Sequence, residues 1–190
     1  MAAAQGTPTP PGRMITVFGS SRCPEESDIY RGAYELGKRL AQVGFTVCNG
    51  GYDGAMRAVS QGAREAGGHV IGIMVEQLFR QSVPNPWLVE RIQAETIFTR
   101  LEALTSRADG FVVVTGGTGT LTELFLVWSL SLIDGPGPRP IILLGENWRP
   151  VLESLVANLD VHRADLAAVQ VAATPAEAVT LLQQRLAPQP

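Results

Sequence analysis

The apolar positions of this chain fall into two alternating rhythms. Five short runs carry almost no polar residue: residues 14–18 (MITVF), 45–48, 70–74 (VIGIM), 111–114 and 140–144. They are rich in β-branched side chains and show no in-out alternation, as expected of strands buried on both faces. Between them, apolar residues recur at helical spacing. Ile29, Ala33, Leu36, Leu40 and Val43 mark a helix over residues 28–43, with Gly44 placed to end it. A second helix is expected from Ala55 to about Ala66, stopped by Gly67-Gly68. Thr99 and Glu102 form a T-x-x-E capping pattern that predicts a helix start at 99 and an end near Arg107. Glu123 is expected to open an amphipathic helix that reaches about Ile133 and stops at the Asp-Gly-Pro-Gly-Pro stretch 134–138. Residues 148–158 read as another helix and 169–171 as a short final strand. Thr174-Pro175-Ala176-Glu177 places Thr at the N-cap, Pro at the first helical position and Glu at the third, starting a helix that runs to about Leu186.

Strands alternating with helices at this spacing predict βαβ units. The fold class follows: α/β, a doubly wound, mostly parallel sheet with helices on both faces, Rossmann-like, in a single domain over residues 13–188. Residues 1–12 are small and Pro-rich and read as a disordered tail. Residues 76–93, with Pro84, Pro86 and Trp87, break the rhythm and read as a long connection, with Trp87 tucked against the surface.

Composition narrows the function. The 190 residues carry a net charge of −3, which argues against a nucleic-acid-coating surface. No run approaches the roughly 18 apolar residues of a membrane span. Residues 1–12 also lack the basic and apolar regions of a secretory signal. The two cysteines, Cys23 and Cys48, have neither metal-ligand nor redox-motif spacing, so each reads as a packing residue in a reducing, cytoplasmic setting. Of the fifteen basic residues, one is a lysine, Lys38. Pyridoxal chemistry needs a Schiff-base lysine, and Lys38 lies on the first helix, far in sequence from the glycine turn at 116–120. His69 and His162 show no triad or metal spacing and read as structural.

The chemistry concentrates in residues 111–123, FVVVTGGTGTLTE. A buried strand, a glycine turn and a helix N-terminus in that order gather backbone N–H groups and a helix dipole around a prospective anion, most simply a nucleotide phosphate. Two more Gly- or Ser-rich loops, Gly19-Ser20-Ser21 and residues 49–54 with Gly50 and Gly51, belong at the same carboxyl edge of the sheet, where ligands of such folds bind. The turn Gly116-Gly117-Thr118-Gly119-Thr120 is not a Walker A loop, because it lacks Gly-Lys-Ser/Thr. It is not a full G-x-G-x-x-G either, because Thr122 holds the third glycine position. Glu123 has two readings from the pattern. Thr120 and Glu123 form a T-x-x-E capping box, worth about 1 kcal/mol without any ligand; alternatively the carboxylate faces a bound phosphosugar. Arg100 poses a similar choice between a surface arginine, the stronger reading of the residue alone, and a clamp for phosphate or carboxylate.

Taken together, these motifs resemble the Lonely Guy (LOG) family of cytokinin-activating phosphoribohydrolases, often labelled lysine decarboxylases. The family hallmark P-G-G-x-G-T-x-x-E is matched by Thr115–Glu123, T-G-G-T-G-T-L-T-E. Val17-Phe18-Gly19-Ser20-Ser21 looks like its first strand and turn. Residues 49–56, NGGYDGAM, resemble its G-G-G-x-x-G-L-M loop, and residues 66–73 are also similar. The resemblance covers roughly residues 15–144 and implies hydrolysis of the N-glycosidic bond of a nucleoside 5′-monophosphate, giving free base and ribose 5-phosphate. It assigns catalysis to Glu123 and Arg100. It assigns substrate or phosphate binding to Gly19, Ser20, Ser21, Gly50, Gly51, Gly116, Gly117, Thr118, Gly119 and Thr120. It further implies a homodimer and no metal or organic cofactor. Three positions depart from the pattern. Thr115 replaces the hallmark proline and Asn49 the first glycine of the second loop. The family's M-H-E-R-K segment reads Ile97-Phe98-Thr99-Arg100-Leu101, so its lysine is absent. That loss removes a positive charge and keeps open an alternative: a binding or carrier protein of the same fold, like the related molybdenum-cofactor carriers.

Overall fold

Unbroken apolar runs form strands here because both faces of the sheet are covered, and the helices that cover them supply the rest of the core. The computed structural model describes residues 12–75, 83–133 and 139–187. Most of the expected tail, the first part of the long connection and the stop at 134–138 lie outside the described residues. The chain runs β1 (Met14–Phe18), α1 (Asp28–Gln42), β2 (Thr46–Asn49), α2 (Ala55–Glu65), β3 (Val70–Met74), β4 (Glu90–Gln93) and α3 (Ile97–Ser106). It continues through β5 (Gly110–Val113), α4 (Thr118–Ile133), β6 (Ile141–Leu144), α5 (Trp148–Asn158), a 3-10 turn at Arg163–Ala168, β7 (Val169–Ala172) and α6 (Pro175–Leu186).

The seven strands lie in the order β4-β3-β2-β1-β5-β6-β7, and each neighbouring pair is parallel. The chain therefore builds outward from β1 to β4, crosses back, and builds outward again from β5 to β7. The α/β, doubly wound reading holds. Ile15, Val17, Val47, Val112 and Ile142 face α1, α2 and α6, packing with Leu36, Leu40, Val59, Val179 and Leu182. Phe18, Ile71, Ile73, Phe111, Val113 and Leu143 face α3, α4 and α5, packing with Leu104, Leu124, Trp128 and Leu152. The strand order reverses between β1 and β5, which run in register from Ile15 opposite Gly110 to Phe18 opposite Val113. Their carboxyl ends open the crevice expected at a topological switch point.

Three expectations need correction. First, β4 was hidden within the long connection. Its sequence ERIQ is mostly exposed at the sheet edge, where charge suits an unpaired strand face and no apolar run announces it. Second, α3 starts at Ile97, two residues before the expected position. Thr96 is its N-cap and forms the capping box with Thr99, which sits three residues in, so Thr99 and Glu102 are interior to the helix. Third, α4 starts at Thr118 and not at Glu123; the glycines read as turn already belong to its beginning. By contrast, α6 begins as expected: the Thr174 hydroxyl accepts from Glu177 N–H at 3.2 Å and the Glu177 carboxylate accepts from Ala173 N–H at 2.8 Å.

Candidate functional site

The three glycine- or serine-rich loops meet at the β1–β5 crevice. Ser20 N–H donates to the Thr115 carbonyl at 3.2 Å, and Ala55 N–H at the start of α2 donates to the Ser20 carbonyl at 2.8 Å. Gly54 adopts a left-handed φ of 64°, and a side chain there would strike the backbone of Ser20 and Ser21. Gly19 packs against Ala55 and Val114. Ser20 Oγ accepts from Arg22 N–H at 3.1 Å, which shapes the first loop, and Ser21 is exposed beside it.

The glycine turn leads directly into α4. Leu121 N–H donates to Gly117 O at 3.0 Å, which makes this the opening helical bond. The N–H groups of Thr118, Gly119 and Thr120 therefore occupy the first turn, where an α-helix has no internal acceptors to offer. Gly117, Thr118 and Gly119 are exposed, whereas Thr120 is buried. A Cβ at Gly116 would overlap Thr120 Oγ1 and crowd Ser20 N, so only glycine lets the first and third loops close together. Exposed amides, a helix dipole and neighbouring hydroxyls give this end of the crevice the chemistry of an anion cradle.

Glu123 lies in the second turn of α4, too far along for a cap. Its carboxylate meets Arg100 of α3, with Nη1 3.4 Å from Oε1. The capping reading drawn from Thr120 and Glu123 is thereby replaced by an ion pair. Arg100 is buried and Glu123 mostly shielded, with side-chain exposures of 7% and 14%. The surface reading of Arg100 is likewise replaced. Arg100 Nε donates to the Ile73 carbonyl at 2.9 Å, and its guanidinium lies 6.0 Å from the centroid of the Tyr52 ring. Gly50 leaves the space that Arg100 Nη2 fills, since a Cβ at residue 50 would overlap that nitrogen. Burial pushes the Glu123 carboxyl from 4.5 up to about 7, against the opposing attraction of Arg100. A carboxyl that titrates near neutrality beside an anion cradle is suited to move a proton or to meet developing positive charge.

Sequence reasoning missed the residues that hold this pair. Tyr52 stands at a variable position of the NGGYDGAM loop and Asn85 within the long connection, yet both are buried. Gly51, at φ 79°, packs against Met74 and Gly72 and donates its N–H to Asn49 Oδ1 at 2.8 Å. Asn85 N–H donates to Gly51 O at 2.9 Å, and Asn85 Nδ2 to Tyr52 O at 3.1 Å. Trp87, two residues after Asn85, donates its backbone N–H to Asn85 Oδ1 and is half-buried as expected. Thr115, which replaces the hallmark proline, uses its hydroxyl to accept from Asn147 Nδ2 at 3.1 Å, tying the loop after β6 to the glycine turn. A nearby asparagine is the signal that could have revealed this pairing only with the fold in hand.

Cys23 borders the crevice, with Sγ 3.8 Å from the Ser20 carbonyl. Burial pushes the Cys48 thiol up to about 12 and raises that of Cys23, so neither is primed as a thiolate nucleophile. Lys38 is exposed near the C-terminal end of α1, which lies toward the amino edge of the sheet. His69 lies 3.6 Å from Glu90 on the edge strand. Among the described residues, no three His, Cys, Asp or Glu side chains gather in a metal-binding group, and no helix is long and apolar enough to cross a membrane.

Comparison with known proteins adds a lineage to this geometry. A family model described as possible lysine decarboxylase matches residues 56–182. The cytokinin riboside 5′-monophosphate phosphoribohydrolase of Mycobacterium tuberculosis is 33% identical over 122 residues, 64% of this chain and 65% of that protein. The chain thus matches just under two thirds of that relative's length. The protein of the same description from Mycobacterium marinum is 32% identical over 135 residues, 70% of this chain and 72% of its own. Among solved structures, the molybdenum cofactor carrier protein of Chlamydomonas reinhardtii superposes with a TM-score of 0.71 at 26% identity, covering 93% of this chain and 99% of that one. The chain belongs to the possible lysine decarboxylase family, the family of the LOG phosphoribohydrolases.

Proposed function

We propose that this chain is a nucleoside 5′-monophosphate phosphoribohydrolase, with cytokinin nucleotides among the candidate substrates. The observation that carries the reading is the buried Arg100–Glu123 pair set beside the exposed amides that open α4. In the reaction, the C1′–N bond breaks, water oxygen bonds to C1′, and a water proton ends on the departing base nitrogen. Gly116, Gly117, Thr118, Gly119 and Thr120 hold the 5′-phosphate through N–H groups and hydroxyls, with Gly19, Ser20 and Ser21 closing the cradle from β1. Gly50 and Gly51 shape the opposite wall and make room for Arg100. Ionised Glu123 stabilises the oxocarbenium-like sugar or orients the attacking water, and Arg100 holds the phosphosugar while keeping the carboxylate in place. Positioned acid–base groups of this kind contribute about 10²–10⁴-fold in rate.

The family's descriptive name does not carry over as an activity. Amino-acid decarboxylation through a Schiff base needs a lysine in the site, and Lys38 is exposed on α1. The chain acts as a homodimer in this proposal, because Phe98, Phe125, Leu132 and Ile133 on α3 and α4 are exposed by 39–79%. A cytoplasmic location fits its two unpaired cysteines. A second reading, a carrier that binds a nucleotide-like ligand without cleaving it, is favoured by the likeness to the Chlamydomonas carrier and by Leu101 at the family's lysine position.

The two readings separate in one experiment. The purified chain and its Glu123→Ala and Arg100→Ala variants are incubated with purine and cytokinin monophosphates, and free base is quantified. The hydrolase reading expects release by the native chain and collapse in both variants. Nucleotide binding without release from any substrate leaves the carrier.

A further inference from the structure

Arg100 is held by hydrogen bonds at two atoms. Nε donates to Ile73 O at 2.9 Å, whereas the reach from Nη1 to Glu123 is 3.4 Å. The second distance is long for a charge-assisted bond, which normally lies near 2.7–2.9 Å. Such a contact does not by itself hold a guanidinium plane against rotation.

What faces the guanidinium is the ring of Tyr52, 6.0 Å from centroid to Cζ, within the range at which a ring face attracts a cation. Tyr52 is itself fixed at both ends. Its hydroxyl donates to Val75 O and accepts from Val75 N–H, each at 3.0 Å, just past the end of β3. Its backbone carbonyl accepts from Asn85 Nδ2 at 3.1 Å. The ring therefore spans from the loop after β2 to the end of β3 and forms a wall beside Arg100. Gly50, two residues earlier, leaves the space for Nη2.

We infer that Tyr52 is the positioning residue of the Arg100–Glu123 pair: its ring keeps the guanidinium within reach of the carboxylate. The kinetic consequences rest on the hydrolase reading, whereas the pairing itself does not. The charged group that bears on Glu123 is Arg100 from α3, and the Tyr52 ring from the β2 loop faces that guanidinium. Withdrawing the cation removes a stabiliser of the ionised carboxylate, so the Glu123 titration moves to higher pH.

The test uses the full chain with Tyr52→Met and Tyr52→Phe. Methionine fills similar space without a ring face, so it perturbs Arg100 while admitting little water. Phenylalanine keeps the ring. The titration of Glu123 is followed by NMR of 13C-labelled glutamate, alongside the pH profile of kcat/KM for base release. In Tyr52→Met, the Glu123 midpoint and the matching limb should rise by at least about half a pH unit, a roughly threefold change in ionisation constant. The same variant should lose about tenfold or more in kcat/KM through misplaced groups. Tyr52→Phe should restore both toward the native values.

A folded Tyr52→Met with a native Glu123 titration would overturn the inference. So would a Tyr52→Phe variant that shifts as far as the methionine one, since the ring would then not be the active part. If Tyr52→Met does not fold, phenylalanine and trifluorophenylalanine at residue 52 are compared. They share a shape but differ in the negative charge of the ring face, and an unchanged Glu123 titration between them overturns the proposal. Absence of base release by the native chain, with the expected titration shift in Tyr52→Met, defeats the hydrolase reading and leaves the positioning role standing.

Discussion

Replacing Glu123 with glutamine should change how stability depends on pH, and the size of the change follows from the site. Burial holds the Glu123 carboxyl at about 7 in the folded chain against 4.5 ordinarily. A carboxyl whose folded value lies above its unfolded value favours the fold when protonated. That contribution is complete below about 4.5 and is lost as pH rises through about 7. At 1.36 kcal/mol per pH unit, the gap corresponds to about 3 kcal/mol, with the attraction of Arg100 already included. In a chain of this size, 1 kcal/mol moves Tm by about 2–4 °C. The native chain should therefore lose on the order of 6–12 °C more than Glu123→Gln between about pH 4.5 and pH 8. The glutamine leaves Arg100 facing a neutral group, a cost that is constant over this range because the guanidinium stays charged. It shifts both ends equally and cancels in the comparison. Circular-dichroism melts of both proteins across that range measure the difference, and all other carboxylates cancel as well. An equal Tm gap between the two proteins at every pH would refute the claim that the site desolvates this carboxylate.

Gly50→Ala places a methyl group where Arg100 Nη2 now sits, while Nε stays tied to Ile73 O. Base release should fall at least about tenfold, with a stability loss of about 1–3 kcal/mol by denaturant titration. Gly116→Ala drives a methyl group into Thr120 Oγ1 and the Ser20 amide. It should raise KM for the nucleotide by about tenfold or more in steady-state assays, as expected if the phosphate cradle opens by about 1.4 kcal/mol. Thr174→Ala removes only the cap of α6. It should lower Tm by about 2–4 °C and leave turnover unchanged, since the cap is worth about 1 kcal/mol.

The parts of this fold that follow local rules were legible in the residues. Runs such as VIGIM form β3 because a strand covered on both faces needs no polar alternation. Thr174, Pro175 and Glu177 mark the start of α6 because each satisfies a backbone requirement within one turn. The strand β4 was not legible: its partner β3 is remote in sequence and its exposed face carries no apolar pattern. The T-x-x-E patterns at Thr99 and Thr120 misled for another reason. A capping box needs non-helical backbone at its first residue, and both helices had already begun upstream, α3 at the local capping box of Thr96 with Thr99.

The candidate site divides along the same line. The glycine turn announces an anion cradle because its chemistry is backbone chemistry, written in consecutive residues. The environment of Arg100 is assembled from Gly50 and Tyr52, Ile73, and Glu123 on three separate stretches of chain. No spacing rule joins them before the sheet does. Leu101, in place of the family's lysine, leaves the pair without a second neighbouring cation from that segment, so Arg100 carries the whole opposing charge that bears on Glu123.

In the proposed function, this crevice grips a 5′-phosphate and cleaves the adjoining glycosidic bond. Its most direct test sets a nucleoside 5′-monophosphate beside the same nucleoside without its phosphate and measures free base and ribose 5-phosphate. Equimolar base and ribose 5-phosphate are expected from the monophosphate, with little base from the nucleoside. Binding of the monophosphate with no base released, or equal release from both compounds, would contradict it.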